Sequence, residues 1–163
     1  MILEELIEQI LATWRRHNEI LLFLLKEIPE DALICKPHGS RGRDVARQFA
    51  HLNRNRLGWL HYHSTGERPK LERFDKGDPP PKIRLSEDLH ISGNAVEAFI
   101  KKCLEEASKP RMFGKNIVRW MGYLISHESH HRGQIMLALK QSGIRMPEKI
   151  SINGLWGKWI SGK

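Results

Sequence analysis

Leu124-Ile125-Ser126-His127-Glu128-Ser129-His130-His131-Arg132-Gly133-Gln134-Ile135 lies in the strongest helical pattern of the chain. Trp120, Leu124, Ile135 and Ala138 share one arc of a helix running from about Lys115 to Ser142, with Gly143 as the residue that ends it. His127 and His131 are four apart. At 3.6 residues per turn they fall roughly 40° apart in that same arc, one turn above the other. Both imidazoles are therefore expected to face a core. A buried imidazole needs polar partners, and two of them on one inward face point to a divalent metal ion as the shared partner.

Three more segments have the helical period. The first runs from about Ile2 to Ile28, with Leu3, Leu6, Ile7, Ile10, Trp14, Leu21, Leu24, Leu25 and Ile28 in one stripe, and Pro29 ends it. The second runs from about Arg43 to His63, after the break His38-Gly39-Ser40-Arg41-Gly42. The third is placed from about Glu87 to Ala107, with Ser86 as N-cap and Glu87 and Asp88 suiting the positive end of the helix dipole. Its stripe is Leu89, Val96, Phe99, Ile100, Cys103 and Leu104. Nothing reads as a strand. Between the second and third helices lies a link of roughly twenty residues, longer than most connections in compact domains. It contains Gly66, Pro69, Gly77 and Pro79-Pro80-Pro81. A link of that length can cross a bundle end to end, so that the helices it joins run parallel, while the two short links suit antiparallel neighbours. The expected fold is all-α: a four-helix bundle, up-down-down-up, forming a single domain over residues 1–163. The tail, with Pro147, Gly154, Trp156, Gly157 and Trp159, is expected to lie over the bundle and bury one or both indoles.

Composition narrows the function classes. The chain has 163 residues, 40% hydrophobic and 28% charged, enough for a real core and unlike disordered, collagen-like or disulfide-scaffold sequences. The longest apolar run, Ile20 to Leu25, is too short to span a bilayer. The N-terminus carries Glu4, Glu5 and Glu8 and no basic residue before Arg15, which is not the expected pattern of a secretory signal. Only Cys35 and Cys103 occur, so a reducing, cytoplasmic setting is expected, and Cys103 reads as a core residue rather than a nucleophile. The formal charge of +8 leaves nucleic acid, anionic membranes and acidic small molecules open as partners. From Lys36 to Arg73 there are nine Lys or Arg against three acids. No aromatics alternate with these cations as in a single-strand platform, so this run reads as a solvated basic face and nucleic acid is not the expected partner.

The histidines carry the chemistry. His127-Glu128-Ser129-His130-His131 fits the His-Glu-x-x-His pattern of zinc peptidases, where Glu is the general base. Against that reading, no strand is available to hold a peptide, no histidine follows His131, and Glu148 lies beyond Pro147, outside the helix. Glu128 projects to within roughly 60° of His131 on the helix wheel. It is expected to pair with a basic residue of a neighbouring helix, with a role beside the metal or as a base as the alternatives. A third ligand should come from another helix. The candidates are His17, His38, His51, His61, His63 and His90. His38 is in a loop, and His61 and His63 near a helix end read as solvated. His51 sits at the edge of the stripe Val45, Phe49, Leu52 and Trp59, and His17 near the centre of the first helix's arc. Periodicity leaves these two as competitors. Three neutral imidazoles would leave the full dication charge on the metal and an open position for water or a thiol.

The run Leu124 to Ile135, together with Val45-Ala46-Arg47-Gln48-Phe49-Ala50-His51-Leu52 and the following Trp59-Leu60, resembles the DinB-like family of metal-binding helical bundles. That family carries a lone His on its second helix and a His-x3-His-Arg-Gly-Gln stretch on its last long helix. The resemblance covers essentially the whole chain. It implies His51, His127 and His131 as ligands of one divalent metal ion, zinc or nickel, and moves His51 ahead of His17. Characterised relatives resemble bacillithiol S-transferases and mycothiol-dependent maleylpyruvate isomerase, in which the metal activates a low-molecular-weight thiol. A metal-dependent thiol S-transferase or hydrolase acting on a small molecule is thus the first expectation. A non-catalytic metal- and ligand-binding module, then a basic nucleic-acid binder, are the alternatives. No catalytic residue is assigned, and Arg132 and Gln134 are signature residues whose roles can be structural. A homodimer is also implied. On the fourth helix, Gly122, Ser126, Ser129 and Gly133 form a stripe of small residues expected to receive either the tail, through Trp156 or Trp159, or a second subunit. Leu22 and Phe23, off the first helix's core stripe, fit a symmetric contact.

Overall fold

The computed structural model describes residues 2–74 and 77–161, and among these residues every regular element is a helix. The long ones are α1 (Ile2–Glu27), α2 (Val45–Thr65), α3 (Lys82–Glu105) and α4 (Ile117–Gln141), followed by a short α5 (Gly157–Ser161). Single turns at Glu30–Ile34, Phe113–Lys115 and Lys149–Gly154 complete the set. The all-α reading therefore holds. No helix among the described residues is long and apolar enough to cross a membrane.

Side chains explain where the helices begin and end. The Asp44 carboxylate accepts the Arg47 N–H at the start of α2, and the Asn116 carbonyl accepts the Arg119 N–H at the start of α4. α2 ends on Gly66, whose φ of 83° only glycine adopts cheaply. Gly143 ends α4 as the sequence predicts. Its N–H donates to the Lys140 carbonyl at 3.2 Å and that of Ile144 to the Leu139 carbonyl at 2.9 Å, the paired bonds of a left-handed helix stop. The start of α3 differs from expectation. It begins at Lys82 rather than Glu87, so Ser86 lies inside the helix and caps nothing. Pro81 precedes it with φ −66° and ψ 153°; a proline lacks only an N–H that a helix start leaves unpaired anyway. Lys82 then reaches across to α1, and its ammonium donates to the Lys26 and Ile28 carbonyls at 2.8 and 2.6 Å, satisfying the frayed end of that helix.

The apolar core falls into two parts. One joins Ile20, Leu24 and Ile28 of α1 to Val45, Phe49 and Leu52 of α2, Leu85 and Leu89 of α3, and Ile135 and Leu139 of α4. The other joins Leu11 and Trp14 of α1 to Val96 and Ile100 of α3 and to Trp120 and Leu124 of α4, with Trp59 and Leu60 of α2 packed against it. Between these parts, each helix contributes polar side chains that are nonetheless buried: His17, Asn18, Arg56, Ser92 and Glu128. The α1–α3 seam at this level depends on Gly93. A Cβ there would lie 2.3 Å from the Asn18 side chain, and the Gly93 carbonyl accepts the Trp14 indole N–H at 2.9 Å.

The tail lies over the bundle as expected, with one indole partly buried, but of the two occupants offered for the α4 stripe it is not the one. It lies on α1, where Gly154 sits against the Phe23 ring so closely that a Cβ would be 2.3 Å from it. Lys158 stands over the same ring at 5.2 Å, and Leu155 is buried. Trp159 is half-buried against the core, whereas Trp156 remains 57% exposed. Leu22 and Phe23 are thus partly covered within the chain, and the α4 stripe does not receive the tail: Gly122 and Gly133 face open space and Ser126 is exposed. The physical reason is area. A phenyl ring offers far more apolar surface to bury than glycines and serines do.

Gly93→Ala is expected to lower stability by about 1–3 kcal/mol through overpacking against Asn18. Urea denaturation followed by circular dichroism measures it. An unchanged midpoint would mean that the seam yields freely.

Candidate metal centre

His51 stands on α2, and His127 and His131 stand one turn apart on α4. Each offers a ring nitrogen, and these three atoms lie within 4.8 Å of one another. Ring centroids are 4.8 Å apart for His51–His131 and for His127–His131, and 5.3 Å apart for His51–His127. Two carboxamides on α2 flank the group. Gln48 Oε1 is 3.3 Å from His131 Nδ1, a contact that places the proton on Nδ1 and leaves Nε2 with its lone pair. The Asn55 carboxamide is 3.4 Å from His127 Nδ1 and can accept a proton there by an amide flip. Gln48, His51 and Asn55 follow a spacing of three and four, so helical geometry alone puts them in one line facing α4.

The protonation states suit a cation. Burial and then the Arg43 guanidinium push His51 down to about 3. Burial and then His127 push His131 down to about 4, and burial lowers His127. All three rings are neutral at pH 7, the form that binds a metal. His51 Nδ1 is buried without a hydrogen-bond partner among the described residues. A donor set of three imidazoles fits a first-row divalent ion, with zinc and nickel both within its range. Tyr123 adds rigidity by stacking on His127, with centroids 5.7 Å apart and an interplanar angle of 21°.

Glu128, between the two α4 histidines in sequence, points into the centre of the molecule. Its carboxylate is fully buried and accepts from Arg56 Nε and Nη2, both at 2.7 Å, and lies 2.8 Å from His17 Nε2. Burial alone would push this carboxyl up; the Arg56 charge, then its hydrogen bonds and that of His17, outweigh burial and hold it down at about 2. Arg56 also donates to Asn18 Oδ1 at 2.8 Å and to the Leu89 carbonyl at 3.1 Å, and lies 5.0 Å from the Trp14 ring centroid. The expected pairing with a basic residue is therefore present. The peptidase role is not supported, because both oxygens are engaged in a buried network.

His17 belongs to that network and not to the histidine cluster. Its burial lowers its pKa, so it is neutral and its Nε2–H donates to Glu128. His63 is a correction. It is buried rather than solvated, stacked on Phe99 at 5.2 Å and on Trp59 at 5.7 Å, and burial pushes it down to about 4. Its position two turns beyond Arg56 on the inner side of α2 explains this. His38, His61 and His90 are exposed, as is Glu148, and none joins the cluster. Cys103 is buried, and burial pushes its thiol up, in keeping with a core role. Arg132 is half-buried, donates weakly to Ser129 and keeps a buried Nη1 without a partner among the described residues, and the Gln134 amide meets His130 at 3.0 Å. Sequence reasoning missed Arg56, Gln48 and Asn55. Arg56 had a signal: it occupies the i+4 position after Leu52 and the i+7 position after Phe49, both in the buried stripe.

A family model for the DinB family matches residues 1–159. The chain belongs to the DinB family. No curated protein matches the chain. For a DinB-family chain, the histidines that the resemblance singles out are the three that meet in space.

Arg56→Met is expected to cost about 3–5 kcal/mol, since it strands a buried carboxylate. Acid should act in two stages on the metal-free protein. His17, His51, His63, His127 and His131 all ionise less readily folded than at the ordinary 6.5, so stability falls as pH drops below 6.5. The contribution of Glu128 is full above its ordinary 4.5 and is lost as pH falls from there towards 2. Urea midpoints measured from pH 7 to 3.5 check both. Glu128→Gln should flatten the lower limb, and a constant midpoint down to pH 4 would contradict a neutral, buried His17.

Proposed function

We propose that this DinB-family protein holds one divalent metal ion, zinc or nickel, through His51, His127 and His131. On this reading it is a metal-dependent enzyme of the thiol S-transferase or hydrolase type, acting on a small molecule. The observation that carries the proposal is the convergence of three neutral imidazoles within 4.8 Å, two of them with outer nitrogens beside carboxamides. With three protein ligands, such an ion keeps an open position at which it lowers the pKa of a thiol or water. The remaining work falls to the chain. Gln48 and Asn55 orient the rings, Tyr123 fixes the plane of His127, and Arg43 adds positive charge beside the cluster. Glu128 takes no proton during turnover, because Arg56 and His17 hold it as a buried carboxylate.

The same proposal reads residues 1–163 as a single four-helix bundle domain with helices up, down, down, up. Its support is the composition of the two core parts. The C-terminal halves of α1 and α4 share one part with the N-terminal halves of α2 and α3, and the opposite halves share the other. A cytoplasmic setting accords with two unpaired cysteines. A homodimer would use the open α4 stripe around Ser126.

Metal analysis on purified variants tests the centre. Wild type is expected to carry about one ion per chain. His127→Ala and His131→Ala should carry none, His51→Ala should bind far more weakly, and His17→Ala should keep its metal. Retention in His51→Ala with loss in His17→Ala would overturn the ligand assignment. Consumption of a small thiol by an electrophile should stop on chelation and return with metal; a metal-loaded protein inert to thiols and esters is a binding module instead. Peptide hydrolysis abolished by Glu128→Gln would favour the peptidase. Light scattering should give a dimer mass that Ser126→Arg reduces to a monomer.

A further inference from the structure

A groove of about 670 Å³ opens beside His51 and runs along α2, between the link that follows it and Tyr123 of α4. Its walls carry four cations, Arg54 from α2 and Arg68, Lys70 and Arg73 from the link that follows it. No carboxylate lines it among the described residues. Glu72, within the same link, turns to Arg84, 2.5 Å away. Arg54, Arg68, Lys70 and Arg73 have no hydrogen bond or ion pair among the described residues, in contrast to Arg47, which donates to the Phe74 and Gly77 carbonyls and pairs with Asp44. Like charges converging in one hollow repel one another and focus a positive potential there, and an anion relieves that cost. The other wall is aromatic. Trp59 meets Tyr62 and Tyr123 edge-on, with centroids 5.9 and 6.0 Å apart, and Tyr123 in turn stacks on His127. Arg54 and Arg73 also line a smaller hollow that shares His51 with the groove, together with Arg43, Arg47 and Glu72, so both guanidiniums stand beside the histidine.

We propose that this groove is the substrate site and takes a small organic anion, its carboxylate or phosphate held by Arg54 and Arg73 beside His51 and its flat apolar body against Trp59 and Tyr123. The proposal rests on the metal-centre reading only in naming the ligand a substrate. Guanidinium forks match planar carboxylate and phosphate oxygens in a way that ammonium groups do not. The size decides between a small molecule and a polymer. About 670 Å³ is within the range of small-ligand sites, and the cations line a hollow rather than an open face that tracks a nucleic-acid backbone.

The test titrates 1-naphthoate and, as its neutral counterpart, 1-naphthylmethanol into the full chain by calorimetry, with metal and after chelation. Naphthoate is expected to bind at least tenfold more tightly than the alcohol. Arg54→Ala and Arg73→Ala should each weaken naphthoate at least fivefold without moving the alcohol, Arg54→Lys should recover part of the loss, and Arg145→Ala, an exposed cation elsewhere, should change nothing. Circular dichroism confirms that each variant is folded. Equal affinity for the two probes, no binding of either, or indifference to both arginine substitutions overturns the proposal whatever the metal content. Arginine-dependent naphthoate binding by a protein that never takes up metal upholds the groove and overturns the metal-centre reading instead. Displacement of naphthoate by a mixed-sequence DNA strand that binds more tightly through the same arginines would assign the groove to nucleic acid and likewise overturn the proposal.

Discussion

The Arg56–Glu128 pair is the constraint around which the rest of the molecule is arranged. Both side chains are fully buried, and their two bonds of 2.7 Å join α2 to α4 at mid-height, with His17 and Asn18 bringing in α1 and Leu89 bringing in α3. A buried ion pair adds little net stability over well-packed hydrophobic residues, but breaking one is expensive. Its force here is geometric. With apolar residues alone, α2 could slide against α4 by a turn at small cost; a bidentate pair permits a single register. That register is what sets His51 opposite His127 and His131, since Arg56 and Glu128 lie within two turns of them on the same helices.

The polar layer also accounts for the division of labour among the histidines. His17 and His51 both sit on inner sides of helices at the middle of the molecule, and both are neutral. One has a carboxylate 2.8 Å away that takes its Nε2–H, though its Nδ1 is buried without a partner among the described residues. The other faces two further imidazoles and no acid, with its Nδ1 left unpartnered among the described residues. Burial, carboxamide neighbours and nearby guanidiniums all favour uncharged rings there, so a metal meets lone pairs rather than protons. Glu128 is sequestered one residue away from His127, which separates the buried carboxylate from the histidine cluster although the sequence writes them as one motif.

The basic run from Lys36 to Arg73 illustrates how charge acquires meaning through position. Arg47 is spent on pinning the link, through carbonyls at Phe74 and Gly77, and Arg56 is spent in the core. Arg54, Arg68, Lys70 and Arg73 are left around one hollow beside the histidines. Most of the run is solvated, as its composition suggests: Lys36, Arg41, Arg43, Arg68, Lys70 and Arg73 are exposed, and only Arg47 and Arg56 are drawn into the fold.

Periodicity was enough to find four helices, the stop at Gly143, the inward arc of α4 and the pairing of His127 with His131, because these depend on contacts within one helix and on the 3.6-residue repeat. It could place Glu128 near a neighbouring helix and offer both His17 and His51. It could not choose between them: that choice is a matter of distance between elements far apart in sequence, and the wheel of one helix holds no information about the rotation of another. The same limit hid Arg56 as the partner of Glu128, the burial of His63 among Phe99, Trp59 and Trp120, and the tail's preference for Phe23 over the α4 stripe. Local periodicity thus identified the four long helices, though not the start of α3 or the short α5, and the residues able to carry a metal. Which of those residues meet is a matter of packing between helices, because an imidazole's role follows from its neighbours in space: a carboxylate at 2.8 Å for His17, and two imidazoles with ring nitrogens within 4.8 Å for His51.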